Sequence, residues 1–269
     1  MDLEIYQVDS FTTEAFKGNP AGVCITKNGI AERLMLSIAE EMAVSETAFL
    51  SLSDMTLRWF TPKAEVKLCG HGTLAVAHVL TERGLLKQGD QINFETASGT
   101  LTALINEATI ELDFPSPIIN FDVTQPPELL DYLGIEKSKI ISFGHFDSKF
   151  LIEVDSEKTL RNLQPNFDAL KQLNGRGVLV TTRSESDNLD FLSRYFAPWV
   201  GVNEDPVTGL AHCALTVYWS EKLGKIQLKG FQASTRGGYV ATELLPNGRT
   251  KLVGSAVTVI KGTIQVPII

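Results

Sequence analysis

The feature that most restricts what this chain can fold into is an internal repeat. Arg58-Trp59-Phe60-Thr61-Pro62 returns as Arg194-Tyr195-Phe196-Ala197-Pro198, 136 residues later. At the same offset Val66 falls on Val202 and Cys69 on Asp205, and after one inserted residue Gly72 meets Gly209. Behind those glycines run two apolar stretches, Thr73 to Leu80 and Leu210 to Trp219. A repeat of this length is read before any single element, because each copy must bury its own hydrophobic face. Two similar halves related by a pseudo-twofold, with Cys69 matched to Asp205, are therefore expected: a domain over 1–118 and a second over 119–269.

The apolar stretches of the repeat decide the architecture of each half. Both are hydrophobic nearly all round, the pattern of a helix enclosed by protein. Ala31 to Met42 differs, with Leu34, Ile38 and Met42 at helical spacing and charges elsewhere, as on an amphipathic surface helix. Leu57 to Phe60, Thr100 to Ile105, Thr109 to Phe114 and Lys251 to Ile260 read as strands from alternation or β-branched residues. Ser98-Gly99, Pro246-Asn247-Gly248 and Lys261-Gly262 read as turns. The fold class is α+β, two domains, each a mostly antiparallel sheet wrapped around a central helix. The proline-rich stretch from Pro115 to Pro127 marks the link between them, and the last strand is free to cross back to the first domain.

Composition excludes several function classes. The chain has 269 residues, 43% hydrophobic and 21% charged, enough to bury one or two sizeable cores. Its net charge of -8 is spread along the sequence and no basic run appears, which argues against nucleic-acid binding. No apolar run approaches the ~20 residues that span a bilayer, and Asp2 and Glu4 stand where a signal peptide is basic, so a cytoplasmic location is expected. Cys24, Cys69 and Cys213 are odd in number and form no C-x-x-C pair, which argues against disulfides and against a cysteine-rich zinc site.

The two equivalent loops, Lys67 to Thr73 and Asn203 to Leu210, lead straight into the apolar helices. If the halves face one another, these loops meet in a cleft, and the N–H groups of the helix starts at Gly70, Gly72, Thr73, Thr208 and Gly209 favour an anion. A small carboxylate is the expected ligand. Ser45-Glu46-Thr47-Ala48-Phe49-Leu50 places a carboxylate where a loop enters an apolar strand, and partial burial there raises its pKa towards the range of a general acid/base; an arbitrary Glu is more often a surface or capping residue. His71 reads equally as a helix cap or a substrate contact. Cys69 reads as a small helix-entry residue or as a thiol taking part in chemistry. His78, His145 and His212 read as structural, Cys24 and Cys213 as packing, and Trp59, Trp199 and Trp219 as core or cleft wall. Gly70-His71-Gly72-Thr73-Leu74-Ala75 also matches a dinucleotide fingerprint, but the strand before it alternates and no βαβ repeat follows.

Six motifs together resemble the PhzF-like isomerases of the phenazine-biosynthesis type. They are Asp9-Ser10-Phe11, Gly18-Asn19-Pro20-Ala21-Gly22-Val23, Ser45-Glu46-Thr47-Ala48-Phe49, Arg58 to Pro62, Cys69-Gly70-His71-Gly72-Thr73 and Glu204-Asp205-Pro206-Val207-Thr208-Gly209, in order across nearly the whole chain. The resemblance implies the diaminopimelate epimerase fold, a homodimer, and an isomerase with no metal or organic cofactor. It makes Glu46 the acid/base that moves a hydrogen within the substrate, and His71 and Asp205 substrate contacts. Leu210 stands where the family commonly has Ser, which removes one hydrogen bond to substrate and leaves the substrate itself open. A binding protein that has lost the chemistry, and a racemase using Cys69, are the alternatives; the opposing thiol of such a racemase is replaced here by Asp205.

Overall fold

The computed structural model describes residues 2–266. They divide into two compact units, 2–114 with 251–266, and 115–250. Residues 251–266, which the repeat assigns to the second half, thus join the first unit.

The first unit opens with β1 (Asp2–Ser10) and β2 (Asn19–Thr26), an antiparallel pair. α1 (Glu32–Met42) then carries the chain to β3 (Glu46–Ser51), which lies parallel to β2. A parallel pair needs such a crossover, because a tight turn can only reverse direction. β4 (Leu57–Phe60) and β5 (Glu65–Val66) continue the sheet antiparallel. α2 (Gly70–Glu82) follows, and then the meander β6 (Gln91–Thr96), β7 (Gly99–Ile105) and β8 (Ile110–Pro115).

The sheet of this unit is covered on both faces. α1 places Met35, Ile38 and Ala39 against Leu3, Ile5, Cys24 and Phe49. α2 packs on β1, β2, β3 and β7, and ten of its thirteen residues are buried. An apolar helix with no solvent face requires this enclosure.

The second unit repeats the plan. α3 (Leu129–Leu133) leads to the antiparallel pair β9 (Ile140–Phe146) and β10 (Lys149–Val154). Two short helices, α4 (Glu157–Arg161) and α5 (Phe167–Leu170), cross to β11 (Gly177–Arg183), parallel to β10. β12 (Phe191–Ala197) and β13 (Val202–Asp205) continue antiparallel, and α6 (Gly209–Leu223) follows. The strand order and sense from β9 to β13 match those from β1 to β5. β14 (Gln227–Gln232) then lies parallel to β12, and β15 (Gly238–Leu245) turns back on it. Side chains along β10 and β11 alternate between two cores. Leu151 and Leu179 meet Ala214, Leu215 and Trp219 of α6, while Ile152, Val178 and Val180 meet Leu129, Leu160 and Leu170 of the short helices.

The single strand expected over 251–260 is two. β16 (Arg249–Gly254) and β17 (Ala256–Gln265) are separated at Ser255, whose carbonyl accepts the Thr12 N–H and whose hydroxyl donates to the Ala108 carbonyl. β17 pairs antiparallel with β1 and also packs on α2; Lys261 and Gly262, expected in a turn, lie within it opposite Tyr6 and Ile5. The strands are mostly antiparallel, with parallel pairs where a helix crosses between them.

His212 of α6 is fully buried against Phe191. Its Nδ1 bonds to the Thr208 carbonyl and its Nε2 has no partner among the described residues. Burial lowers its pKa from 6.5 to about 4, only partly opposed by the hydrogen bond to Thr208. Above pH 6.5 neither the folded nor the unfolded chain protonates this ring; below it the unfolded chain takes a proton that the folded one refuses. Stability is then lost as pH falls from 6.5 to 4, by about 3 kcal/mol at roughly 1.4 kcal/mol per unit. In His212→Asn, urea midpoints at pH 7 and 4.5 should differ less than in the parent; an identical pH dependence would contradict this.

Candidate active site

The chemistry-bearing residues of the first unit gather where β3 and α2 begin. α2 starts in the interior of its unit, so its first turn needs partners other than water. Cys69, in extended conformation, caps α2, its Sγ accepting the Gly72 N–H at 3.4 Å. The Cys69 carbonyl accepts both the Thr73 N–H at 3.1 Å and the Thr73 hydroxyl at 2.7 Å. Thr73 is fully buried, so its side chain serves the helix start.

Glu46 is the first residue of β3, paired with Ala21 of β2. Its Oε2 lies 3.3 Å from His71 Nε2, and its side chain is 20% exposed. Burial raises its pKa above the ordinary carboxylate value, against a smaller lowering by the Ser45 hydroxyl. His71, one residue into α2, is held from three sides. Asn19 Nδ2 approaches its Nδ1 at 3.4 Å, Ser45 Oγ lies 3.3 Å from Nε2, and the Ser10 hydroxyl donates to its carbonyl at 2.8 Å. Ser45 also donates to Asn19 Oδ1 and the Pro20 carbonyl, each at 3.3 Å. With the Asn19 amide nitrogen facing Nδ1, the ring proton belongs on Nε2, pointing at the Glu46 carboxylate. Cys69 Sγ is 3.5 Å from Nδ1 and 3.9 Å from Nε2. Among the described residues, Glu46, Cys69 and His71 form a trio with the chemistry to hold a metal ion.

In the second unit the loop before α6 has its own network. The Thr208 hydroxyl donates to Asp205 Oδ2, and Thr208 itself is the cap position of α6. Gln232, fully buried at the end of β14, donates to the Asp205 carbonyl at 2.7 Å and accepts the Thr208 N–H at 2.9 Å. Gly209 opens the helix, and Leu210 follows it half-buried.

The two loops are anchored alike within their units. Arg58 donates to Glu65 Oε1 at 2.7 Å with its guanidinium 5.0 Å from the centre of Phe60. Arg194 donates to Glu204 Oε1 at 2.7 Å and sits 4.9 Å from the centre of Phe196. These are the repeated Arg-x-Phe positions, so each clamp ties the strand before the loop to the strand that enters it. The Glu65 carboxyl is held below its usual range by Arg58.

Among the residues expected at the site, Glu46, Cys69 and His71 lie together, with Gly70 and Gly72 in the same first turn of α2, while Asp205, Thr208 and Gly209 form the second unit's loop. Sequence reading assigned no role to Ser10, Asn19 and Ser45, although all three stand in the quoted motifs. Gln232 carried no signal at all, since it lies in a strand distant from the loop it holds. The other sequence assignments are placed as follows: Trp59 and Trp219 are buried, Trp199 is partly buried with its Nε1 donating to the Leu173 carbonyl, and Cys24 and Cys213 are buried. The dinucleotide-like residues begin α2 behind the antiparallel pair β4 and β5. Among the described residues no helix is long and apolar enough to cross a membrane.

Known proteins resemble the chain over nearly its whole length. The family model described as "Phenazine biosynthesis-like protein" matches residues 8–262. A protein of Halalkalibacterium halodurans named an uncharacterized isomerase is 49% identical over 263 residues, 97% of this chain and 98% of that one. The crystal structure of a PhzF-family phenazine biosynthesis protein from Enterococcus faecalis superposes with a TM-score of 0.91 at 37% identity, covering 99% of this chain and all of that one. A predicted epimerase from Pseudomonas aeruginosa, 16% identical, shares the fold with a TM-score of 0.78 over 98% of this chain and 100% of that one.

Gly72 is tightly packed within the site. A Cβ there would stand 2.8 Å from Trp59 Cδ1 and 3.0 Å from Cys69 Sγ. Alanine in a helix ordinarily gains up to about 1 kcal/mol over glycine, but overpacking costs about 1–3 kcal/mol, so Gly72→Ala should be net destabilising. Gly29→Ala, with open space around it, is the control. Urea unfolding should show a lower midpoint for the first and little change for the second; a stabilised Gly72→Ala would refute the packing argument.

Proposed function

The chain belongs to the phenazine biosynthesis-like family, and we propose that within it the protein is an isomerase that moves a proton within a small carboxylate substrate, without an organic cofactor. The observation that carries the reading is the placement of Glu46. It is a partly buried carboxyl with an elevated pKa, set against a histidine that three neighbours orient, beside the N-terminus of an enclosed helix. The relative named as an isomerase supports the same reaction class.

In this reading the substrate carboxylate lies at the first turn of α2, near Gly70, Gly72 and Thr73, where the helix dipole and main-chain N–H groups favour negative charge. Glu46, ionised, takes a proton from a carbon next to an alkene or carbonyl group. The electron pair left on that carbon enters the conjugated system. Glu46 then returns the proton to a more distant carbon on the same face, and the double bond has moved with no change in composition. The His71 Nε2–H stabilises the carboxylate before the transfer and falls idle when Glu46 holds the proton. Asp205, Thr208 and Gly209, equivalent to the Cys69–Gly72 segment in the repeat, are proposed as ligand-binding residues of the second unit's own loop. The residue matching Cys69 is Asp205, so a reaction with a thiol on each side of one carbon is not supported, and one carboxyl serves both steps. Leu210 offers no hydroxyl, which favours a substrate with one polar group fewer than the family commonly accepts.

Entry of solvent deuterium into each member of a panel of small unsaturated and 2-oxo acids measures the reaction and finds its substrate together. Glu46→Gln keeps shape and hydrogen bonding while removing the base, and should lower the exchange rate by ~10²-fold or more with little change in ligand affinity. Cys69→Ser should retain most of the rate. A fully active Glu46→Gln together with an inactive Cys69→Ser would replace this mechanism by a thiol-based one.

A further inference from the structure

Three side chains of different chemistry, all of them metal ligands, converge at the start of α2. The carboxylate oxygen of Glu46, the Cys69 sulfur and a ring nitrogen of His71 all lie within 4.8 Å of one another. Two separations are more telling. His71 Nε2 is 3.3 Å from Glu46 Oε2 and 3.9 Å from Cys69 Sγ. Ligands arranged tetrahedrally at zinc-typical bond lengths stand about 3.3 Å apart for nitrogen and oxygen and about 3.6 Å for nitrogen and sulfur. The nitrogen–oxygen edge is already formed; the sulfur, which stands nearer Nδ1 (3.5 Å) than Nε2 (3.9 Å), must move by about 2 Å to share an ion with Nε2, a displacement of the size of a side-chain rotamer change.

We propose that Glu46, Cys69 and His71 form a binding site for a thiophilic divalent cation, zinc above all, and that occupancy switches the enzyme off. The thiolate selects against magnesium and calcium, which take oxygen ligands. One carboxylate and one thiolate neutralise the ion's charge, as burial requires: the Cys69 residue is 5% exposed and the His71 side chain 7%. The Gly72 N–H at the helix start already faces the sulfur and favours its ionised form. Coordination displaces the Cys69 proton to solvent and uses the Nε2 lone pair, so the ring proton moves to Nδ1. Asn19 can receive it there, because turning its amide over puts Oδ1 where Nδ2 now sits and Nδ2 towards Ser45 Oγ. Three protein ligands leave a fourth position for water, and the partly exposed Glu46 marks the side from which the ion enters.

Binding of the ion does not depend on the function assigned to Glu46; the loss of turnover rests on that reading, since a coordinated carboxylate cannot accept a proton. Cobalt(II) titrated into the metal-free protein tests the two separately. One equivalent should bind with the visible bands of a tetrahedral ion and a strong sulfur-to-cobalt charge-transfer absorption, and zinc should displace it. Cys69→Ser should lose the charge-transfer band, and Glu46→Gln and His71→Asn should each weaken binding at least ~10²-fold, beyond what outer-shell partners alone cost. Circular dichroism of each variant establishes that it is folded. Binding without a charge-transfer band, or a band that survives Cys69→Ser and disappears with Cys24→Ser or Cys213→Ser, would overturn the site. Zinc should also stop deuterium exchange, and a chelator should restore it. Stoichiometric zinc that leaves exchange unchanged would keep the site and overturn both the switch and the role given to Glu46.

Discussion

A helix that is apolar on every side cannot lie on a surface, and most of this structure follows from enclosing two of them. In the first unit α2 is held against β1, β2, β3, β7 and β17, and in the second α6 fills the space between β14, β15 and the strands around Leu151 and Leu179. Enclosure has a local consequence. The first turn of such a helix begins inside its unit, where water cannot satisfy its N–H groups, so side chains and loop carbonyls must organise around it. That organisation is the candidate site: Cys69 caps, Thr73 bonds back, and His71, on the same turn, faces Glu46.

The twin clamps show what duplication preserves when function diverges. Arg58 and Arg194 are equivalent in the repeat, each over the phenylalanine two residues on and each paired with a glutamate of the next strand, although the glutamates themselves are not equivalent: at the same offset Glu65 falls on Gly201. The residues a few positions later differ. One copy has a thiol that accepts a helix N–H, the other a carboxylate that accepts a threonine hydroxyl and whose main chain is held by Gln232. A scaffold that fixes both loops equally leaves the side chains at their tips free to specialise.

At the first of these tips a single arrangement supports two kinds of chemistry. A carboxylate kept beside an imidazole, with its affinity for protons raised by burial, is suited to shuttle a hydrogen. The same oxygen and nitrogen have the spacing of one edge of a zinc polyhedron, and a sulfur lies close enough to be drawn in. Under the proposed function, the proton transfer and its proposed inhibition by a cation are competing occupancies of one set of atoms.

Much of this was legible in the sequence, because the signals were local or periodic. The repeat, the all-round apolar helices and the strand Leu57 to Phe60 depend only on spacing, and Glu46 was recognisable as the polar residue at the mouth of an apolar strand. The helix starts at Cys69 and Thr208 followed from the glycines behind them. What the sequence could not contain was pairing between distant segments. The destination of β17 is decided by the open edge of β1 at the opposite end of the chain, and that pairing also overrides the turn signal of Lys261-Gly262. The distances from Asn19 and Ser45 to His71, and from Gln232 to Thr208, exist only once the sheets are assembled. Type and position along the chain fix which residues carry chemistry. Which atoms of those residues come within bonding distance is a property of packing, and packing is set by the whole fold.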